Sequence, residues 1–412
     1  MPRDMHRDVP IIEEFAVKNY RALLDLRMKS LSPLTVLNGP NGSGKSTILD
    51  SFAFLAECFS TGLRSAWDKR GRFKDLRSRN SNGPIEFEIR YREKESEPII
   101  TYHLSIDEED GIRPVVSEEW LQWRRGQRGQ PFRFLNFRNG SGDVISGEKP
   151  DLQDQRITEN LESPEMIAVN TLGQLRKHPR VTMLRRFIIE WYLSAIAPRN
   201  MWSVTETGPR ERLSDSGDNL PNVIQYLQER YPDRLRQIIQ VLSQRVPQLE
   251  NVITEIMPDG RLLLQIQDTP FDKPIISRWV SDGTLKMLAY LIIIYDIKPP
   301  QLIGIEEPEN YFHPRLLGGL MEEFRKASEK SQLFITTHSP ELVNEIYLEE
   351  LWIVYREKDG YTRVVRAQNI PEMCEMNKEG GKLGSLWMEG YFGVGDPTIK
   401  QGGWYKPRLP GL

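Results

Sequence analysis

Residues 39–47 read Gly39-Pro40-Asn41-Gly42-Ser43-Gly44-Lys45-Ser46-Thr47. This G-x-x-x-x-G-K-[ST] motif follows an apolar run at residues 34–37 and precedes a helical pattern at residues 48–57. A strand, a glycine-rich loop and a helix in this order are the setting in which the motif forms a phosphate-binding loop, or P-loop. The sequence therefore predicts a nucleotide-binding core of the α/β class.

The residue types of the motif suit a polyphosphate. Gly39, Gly42 and Gly44 let the backbone curl so that several N–H groups face one point. The helix that follows directs the positive end of its dipole to the same point. Lys45 can reach the terminal phosphates, and the Ser46 hydroxyl can join the ligand shell of a Mg²⁺ ion. We expect the nucleotide to be held by the whole motif, residues 39–47.

Composition narrows the class of protein. The 412 residues are enough for two or three domains, and 27% charged with 39% hydrophobic residues predicts a globular core. A net charge of -3 argues against a nucleic-acid binder that is basic throughout. The two cysteines, far apart, are typical of a reducing compartment. Residues 1–10 lack a secretory pattern, and the most apolar run, residues 285–297, is too short to span a membrane. We expect a soluble cytoplasmic protein.

The rest of the chain predicts strands and helices near both ends, with an insertion between them. Strands are predicted at residues 11–17, 23–28, 34–37, 302–305 and 333–336, and an antiparallel β region at 85–91, 99–106, 115–123 and 132–137. Residues 141–156 are predicted to form a mobile loop and residues 158–248 to be mostly helical. Asp-Gly turns predict hairpins at residues 252–266 and 351–365.

Two later strands end in polar residues. The apolar run 302–305 is followed by Glu306 and Glu307, where one carboxylate can hold a metal and the next can activate a water. The second strand precedes Thr337-His338-Ser339, and a neutral imidazole there can contact a γ-phosphate. The alternatives are a solvated strand end for the acids and a structural role for His338.

Ser281-Asp282-Gly283-Thr284 opens the apolar helix. Ser281 is a plausible N-cap, which alone would explain the stretch. Alternatively, Ser281 and Gly283 form a second phosphate-binding helix start. Residues 307–314 similarly allow two interpretations, a turn into the next helix or a contact with a partner subunit.

In this order, GPNGSGKST, SDGT, IEEPE and THS resemble the ATP-binding-cassette (ABC) heads of the RecF/SMC branch. Residues 17–21, Val-Lys-Asn-Tyr-Arg, resemble the end of the first strand and its turn in that branch. The resemblance covers residues 11–57 and 279–366 and is greatest to compact ATPases of the branch. These occur alone or beside nucleases in anti-phage systems, such as Septu-like, PARIS-like and retron-linked ones.

The resemblance implies roles for individual residues. Lys45 and Ser46 would act on ATP in the same chain, whereas Ser281 and Gly283 would cap the ATP held by another copy. Glu306 and Ser46 would bind Mg²⁺, Glu307 would be the catalytic base, and His338 the switch. The sequence departs from the broad cassette pattern in carrying Glu at the metal position and SDGT in place of LSGGQ, and it offers no clear Q-loop glutamine.

The resemblance also implies an architecture: an α/β P-loop NTPase head of the ABC-ATPase type with an antiparallel β lobe and an inserted helical domain. We expect the first part of the head and the β lobe at residues 1–140, and a mainly helical insert at 141–270. The second part of the head would span residues 271–370, and a tail residues 371–412. The tail carries no functional signal that we can interpret.

We predict an ATP-hydrolysing enzyme that forms a homodimer or a higher homo-oligomer when ATP binds. Its closure would regulate an effector protein, a nuclease or a toxin, in anti-phage defence. The alternatives are a stand-alone DNA-repair ATPase of the RecF kind and a scaffold that binds ATP without hydrolysis. A transporter motor is disfavoured because LSGGQ and a membrane span are missing.

Basic stretches suggest a possible DNA contact. Each could be a solvated face or could follow a phosphate backbone, with aromatic rings stacking on unpaired bases. They contain Arg64, Lys69, Arg70, Arg72, Lys74, Arg77 and Arg79; then Arg124, Arg125, Arg128, Arg133 and Arg138 among Trp123, Phe132, Phe134 and Phe137; then Arg176, Lys177, Arg180, Arg185 and Arg186.

Overall fold

A computed structural model describes residues 9–94, 96–124, 131–147 and 154–395. The strands are β1 (Ile11–Tyr20), β2 (Leu23–Lys29), β3 (Leu34–Asn38), β4 (Ile85–Arg92), β5 (Ile100–Glu109), β6 (Arg113–Arg124), β7 (Pro131–Arg138), β8 (Ser141–Ile145), β9 (Arg156–Asn160), β10 (Tyr192–Ser194), β11 (Thr205–Glu206), β12 (Leu249–Ile256), β13 (Arg261–Asp268), β14 (Ile275–Ile276), β15 (Leu302–Glu306), β16 (Gln332–Thr337), β17 (Leu351–Arg356) and β18 (Thr362–Arg366).

The α-helices are α1 (Lys45–Ser60), α2 (Leu63–Lys69), α3 (Arg72–Leu76), α4 (Ala168–Leu172), α5 (Pro179–Ile189), α6 (Leu220–Arg230), α7 (Pro232–Ser243), α8 (Asp282–Ile294), α9 (Leu317–Ser328), α10 (Pro340–Val343), α11 (Pro371–Lys378) and α12 (Leu383–Met388). Among the described residues, no helix is both long and apolar enough to cross a membrane.

The chain folds as two compact units. Unit 1 comprises Met1–Trp191 and Phe334–Leu412, and unit 2 comprises Tyr192–Leu333. The P-loop motif therefore belongs to unit 1, whereas Glu306 and Glu307, at the end of β15, belong to unit 2. The four-part division expected from the sequence remains a prediction.

An antiparallel sheet forms the β lobe of unit 1, with strand order β2-β1-β4-β5-β6-β7-β8-β9. The predicted strands between residues 85 and 137 are confirmed. On β4 the side chains of Ile85, Phe87, Ile89 and Tyr91 are buried and those between them face outward, as the alternating pattern requires. The loop prediction is wrong for residues 141–145, which pair with β7 as β8. Residues 148–153 of that predicted loop lie outside the described residues.

A second group of strands in unit 1 lies around the P-loop helix. The five residues of β3 are all buried, and β3 runs parallel to β17, which pairs with β18 as the predicted hairpin. Helix α1 packs its apolar face into this core, where the rings of Phe15 and Phe52 stack with centroids 4.0 Å apart. Burial of all of β3 and of one face of α1 fixes the position of the loop that joins them.

Unit 2 combines a small sheet with helices. Its sheet has the order β11-β13-β12, with β14 on β13, and the predicted Asp259-Gly260 turn joins β12 to β13. Strand β10 runs parallel to β15. Helix α8 is buried on all sides from Thr284 to Ile293, which confirms the prediction of a buried helix from its largely apolar sequence.

A buried carboxylate joins the β lobe to α4. The Glu119 side chain, fully buried on β6, accepts hydrogen bonds from Tyr102 Oη at 3.0 Å, from the Ala168 N–H at 2.5 Å and from the Val169 N–H at 3.0 Å. Burial raises the pKa of Glu119 to about 7, although the three donors favour the charged form. The carboxyl group therefore gains its proton more readily in the folded than in the unfolded chain.

We predict that Glu119 makes the stability of the chain depend on pH. Because its folded pKa lies above the unfolded value of about 4.5, its favourable contribution is complete below pH 4.5 and is lost as the pH rises through about 7. Comparing the free energy of unfolding of the wild type and of Glu119→Gln at pH 5 and pH 8 tests this. The advantage of the wild type should shrink by on the order of 1–3 kcal/mol.

The exposed Glu109, on β5 of the same sheet, provides the control. Glu109→Gln should change stability equally at both pH values. An advantage of Glu119 over Gln that is the same at pH 5 and pH 8 would contradict the prediction.

Candidate nucleotide-binding site

The P-loop has the backbone that the motif predicts. Between β3 and α1 the chain turns through Gly42 and Gly44, whose φ angles of 77° and 110° are unfavourable for residues with a side chain. A Cβ atom at Gly39 would lie 2.1 Å from the Val354 carbonyl oxygen, so only glycine permits this approach to β17. The P-loop therefore packs directly against the backbone of β17 at Gly39.

Thr362 supports the loop from β18. It is fully buried, and its hydroxyl donates a hydrogen bond of 2.8 Å to the Ser43 carbonyl oxygen. A Cβ atom added to Gly44 would meet the same hydroxyl oxygen at 2.2 Å. The Thr362 N–H in turn donates to the Ala22 carbonyl at 2.9 Å. Through its side chain and its backbone N–H, this one residue links the P-loop to the β1–β2 turn.

The polar groups of the loop suit an anionic ligand. The Lys45 ammonium is buried and donates to the carbonyl oxygens of Gly39 at 2.7 Å and Pro40 at 3.2 Å. Among the described residues, the buried Ser43 hydroxyl and the Asn38 amide have no hydrogen-bond partner. A buried polar group without a partner costs free energy, which a phosphate oxygen accepting from these groups would offset.

The end of β1 and the turn after it are bonded to the P-loop helix α1 through Asp50. On α1, the Asp50 carboxylate accepts a hydrogen bond of 2.6 Å from Tyr20 Oη and forms ion pairs with Arg21 at 2.8 Å and Arg70 at 3.0 Å. Tyr20 and Arg21 belong to the Val-Lys-Asn-Tyr-Arg stretch. The structure therefore gives this stretch a positioning role that its sequence alone did not reveal.

In unit 2, the two acids occupy different environments. Glu306 is the last residue of β15 and is exposed, whereas Glu307 is partly buried with a φ of 43°. This left-handed conformation costs about 1–2 kcal/mol in a residue with a side chain. The Glu307 carboxylate accepts a hydrogen bond of 3.0 Å from the Asn310 amide. Strain of this kind concentrates at functional sites, where surrounding contacts hold it.

Lys286 holds the loop that carries Glu307. Although it lies inside the apolar helix α8, its ammonium donates to the carbonyl oxygens of Glu307 at 3.1 Å and Asn310 at 3.2 Å. Burial lowers the pKa of Lys286 to about 8, against the attraction of Glu309 and Glu307. The only sequence signal for Lys286 is a single lysine within an apolar helix, which by itself indicates no function.

The SDGT stretch opens α8 as predicted. Ser281 is the N-cap, and its hydroxyl accepts a hydrogen bond of 3.2 Å from the Thr284 N–H. A Cβ atom at Gly283 would approach the Tyr311 carbonyl oxygen to 2.6 Å, so glycine lets the loop after Glu307 pack against the helix. Capping and packing thus explain both residues locally, and their contact with a nucleotide remains a prediction.

His338 follows β16 in unit 1 and is exposed, while Ser339 caps α10 as predicted, accepting from the Leu342 N–H at 3.2 Å. Within the described ranges, no group of three or more His, Cys, Asp or Glu side chains could hold a metal by itself.

Most cations of the first basic stretch are engaged in ion pairs within the chain. Arg64 pairs with Glu165, Lys69 and Arg70 with Glu57, Arg72 with Asp68, and Arg77 with Asp107. In the other two stretches, Arg138 pairs with Glu118, Lys177 with Glu159 and the partly buried Arg180 with Glu93. These stretches are therefore partly neutralised.

The aromatic residues of the second stretch do not suit base stacking. Trp123, Phe134 and Phe137 are buried in the core of the β lobe, which contradicts that part of the DNA interpretation. Arg125 and Arg128 lie outside the described residues. The first stretch retains Lys74 and Arg79, which make no ion pair within the described part of the chain.

We predict that Thr362 is needed for nucleotide affinity. Thr362→Val keeps the shape of the side chain but removes the hydrogen bond to the loop, which contributes about 1 kcal/mol. Titration with a fluorescent ATP analogue should therefore show affinity about five-fold lower, and Thr362→Ser should retain most of it. Thr101→Val, in the β lobe, is the control. Equal affinity of Thr362→Val and the wild type would contradict this role.

Comparison with known proteins assigns the chain to a family. Residues 34–344, more than half of the chain, match the family described as "AAA domain, putative AbiEii toxin, Type IV TA system". The match contains the P-loop, the SDGT stretch, the two acids and His338. No curated protein matches the sequence.

Solved structures of SMC heads resemble the fold. An SMC head bound to the C-terminal winged-helix domain of ScpA is 15% identical, with a TM-score of 0.52, covering 86% of this chain and 96% of that one. The Thermotoga maritima SMC head is 13% identical, with a TM-score of 0.42, covering 86% and 98%. A Pyrococcus furiosus SMC head with an extended coiled coil is 12% identical, with a TM-score of 0.48, covering 90% and 100%. The chain therefore belongs to this AAA family and has the P-loop fold of the ABC-type ATPase heads of the SMC/RecF branch.

Proposed function

We propose that this protein binds ATP with Mg²⁺ in its P-loop and hydrolyses it. The observation that carries the proposal is the loop itself, which approaches β17 and β18 at positions where only glycine fits. It also presents the Lys45 ammonium and the Ser43 hydroxyl, which has no hydrogen-bond partner in the part of the chain that the structure describes. Backbone N–H groups with one lysine are the usual means of holding the phosphates of a nucleoside triphosphate. Residues 39–47 form this cradle.

The remaining roles are part of the same proposal. Ser46 and Glu306 would hold Mg²⁺, which would supply positive charge beside the phosphates. Glu307 orients the attacking water and takes its proton, and its carboxylate is oriented by Asn310. His338 contacts the γ-phosphate. Lys286 acts on Glu307 only through the backbone of the loop.

We further propose that two copies close on ATP, with Ser281 and Gly283 of one copy facing the nucleotide of the other. The capped start of α8 supports this, because its first turn offers N–H groups and the positive end of the helix dipole. ATP binding thereby controls dimerisation.

The closure regulates an effector protein, a nuclease or a toxin, in anti-phage defence in the cytoplasm. Support comes from the family description, which names AbiEii toxins and type IV toxin–antitoxin systems. The SMC head in one similar structure is bound to a domain of a partner protein, which agrees with a head that transmits its state to a partner.

We predict that Glu307→Gln separates ATP binding from hydrolysis. Loss of the general base should slow turnover by about 10²–10⁴-fold, while the amide still fits beside Asn310. ATP should then convert the variant into a stable dimer, measured by light scattering, and a fluorescent ATP analogue should bind as tightly as to the wild type.

The exposed Glu322, on α9 of the same unit, gives a matched control, and Glu322→Gln should hydrolyse ATP normally. Wild-type turnover by Glu307→Gln would refute the base assignment. A variant that remains monomeric with ATP would refute closure on nucleotide.

We also predict that Lys286→Met lowers turnover much more than it lowers ATP affinity. Without the two hydrogen bonds, the backbone of Glu307 and Asn310 can relax, and a displacement of about 1 Å at a catalytic group costs on the order of 10²-fold. Steady-state kinetics and analogue binding separate the two effects. Lys298→Met, which changes an exposed lysine of the same unit, should alter neither. Equal losses of affinity and turnover in Lys286→Met would argue against positioning.

A further inference from the structure

A segment near the C-terminus, residues 383–395, belongs to unit 1 and lies outside the residues that match the family. It begins with helix α12 and continues through turns to Gly395, the last residue that the structure describes. None of the motifs that indicate nucleotide binding lies in it. We call this segment the C-terminal strap, because it is attached to the rest of unit 1 at two places beside the nucleotide site.

The first attachment joins α12 to α10. The side-chain oxygen of Asn344 accepts hydrogen bonds from the N–H groups of Gly384 at 2.9 Å and Ser385 at 3.3 Å, which satisfies two donors at the start of α12. A Cβ atom at Gly384 would lie 1.9 Å from the Pro340 carbonyl oxygen, so only glycine permits this approach. Pro340 comes two residues after His338. The strap therefore packs on the segment that carries the proposed γ-phosphate contact.

The second attachment places Gly395 on β17. Its φ angle is 74°, and a Cβ atom there would lie 3.2 Å from the Ile353 side chain and 3.7 Å from the Val354 carbonyl oxygen. The same carbonyl oxygen excludes a Cβ atom at Gly39 of the P-loop. One peptide group of β17 therefore lies next to both the P-loop and the strap.

The two attachments involve the two neighbours of β3 in the sheet. Strand β3 leads into the P-loop, and its neighbours are β17 and β16, which ends at Thr337, directly before His338. The strap thus connects the segment after β16 to β17. A nucleotide that contacts both the P-loop and His338 favours one arrangement of these strand ends, and the docked strap holds the same ends together.

Few contacts hold the strap in place. Its buried apolar side chains are Leu383, Leu386 and Phe392. Their burial has to offset the conformational entropy that the strap loses when it becomes ordered. The loss includes that of Gly390 and Gly393, which have positive φ angles of 82° and 68° and are especially free in an unfolded chain. A segment with this balance opens locally while the rest of the unit stays folded.

We propose that the strap is a regulatory element whose docking is coupled to nucleotide binding. Nucleotide in the P-loop tightens the docking of the strap, and release of the strap weakens nucleotide binding. This inference rests on the proposed binding of ATP in the P-loop and adds a means of regulation to it. Because docking and binding favour the same arrangement, each strengthens the other by the same factor. The C-terminal part of the chain thereby reports the state of the nucleotide site.

Hydrogen–deuterium exchange of the full chain, measured by mass spectrometry on peptides from the strap, tests the coupling. The N–H groups of Gly384 and Ser385, which donate to Asn344, exchange when the strap opens. A saturating non-hydrolysable ATP analogue should slow this exchange by about ten-fold, a factor typical of coupled sites. Lys45→Ala should lose the analogue and, with it, the slower exchange.

Two variants loosen the strap in different ways. Gly384→Val places methyl groups against the Pro340 carbonyl oxygen and releases α12, so affinity for a fluorescent ATP analogue should fall by the same factor of about ten. Phe392→Ala removes a buried ring and adds no steric clash. Its strap should exchange faster than that of the wild type, and the analogue should still slow the exchange by about ten-fold.

Met388→Ala is the matched control, because this side chain of α12 is 68% exposed. It should leave affinity and strap exchange unchanged. Exchange in β4 and β5 of the β lobe shows whether each variant is folded. If Gly384→Val exchanges faster there too, Phe392→Ala decides the question.

Three results would overturn the coupling. The first is a folded Gly384→Val that binds the analogue as tightly as the wild type. The second is tighter binding by that variant, which would make the docked strap an inhibitor of the site. The third is strap exchange that the analogue does not slow, in the wild type or in Phe392→Ala. Each of these leaves the ATP proposal intact, whereas a wild type that does not bind the analogue would refute that proposal and the coupling with it.

Discussion

The close contact between the P-loop and the β17–β18 hairpin is the constraint on which the nucleotide site depends. Gly39 and Gly44 approach the hairpin at distances that leave no room for a Cβ atom, and Thr362 fills the space under Gly44 while bonding to the loop. Thr362 and Ser43, whose carbonyl oxygen accepts this hydrogen bond, are 319 residues apart in the chain. The loop therefore reaches its phosphate-binding shape only when the ends of the sequence come together.

Ion pairs within the chain neutralise many of the basic side chains around the P-loop helix. The three basic stretches of the sequence suggest a DNA contact. Most of their basic side chains, however, are neutralised by acids on neighbouring elements, such as Asp50 and Glu57 on α1. Such pairs contribute little each, but they fix the elements around the P-loop helix. A cation that has no acidic partner in the described part of the chain keeps its attraction for an anionic ligand.

In unit 2, a buried charge and a strained backbone occur at the same loop. Two hydrogen bonds from the Lys286 ammonium to carbonyl oxygens offset the free-energy cost of burying its charge. These bonds also hold Glu307 in a left-handed conformation. Gly283 lets the same loop pack on the first turn of α8. The SDGT stretch and the loop that carries Glu307 therefore pack against each other, and a substitution in one is expected to displace the other.

The sequence by itself determined the elements whose signals are local. The P-loop motif, the alternation on β4, the apolar run of α8 and the capping residues Ser281 and Ser339 each act within a few residues, so spacing and residue type were enough. The order of these motifs was also enough to indicate the family.

Tertiary structure alone decided the contacts that join distant segments. Thr362 under the loop, Asp50 with its three donors and Lys286 over the acidic loop have no local pattern, because their partners lie far along the chain. Strand β8 was missed since its pairing with β7 outweighs a Gly-rich, polar sequence. Local propensity predicts where an element begins, but long-range packing selects which side chains it brings to the site.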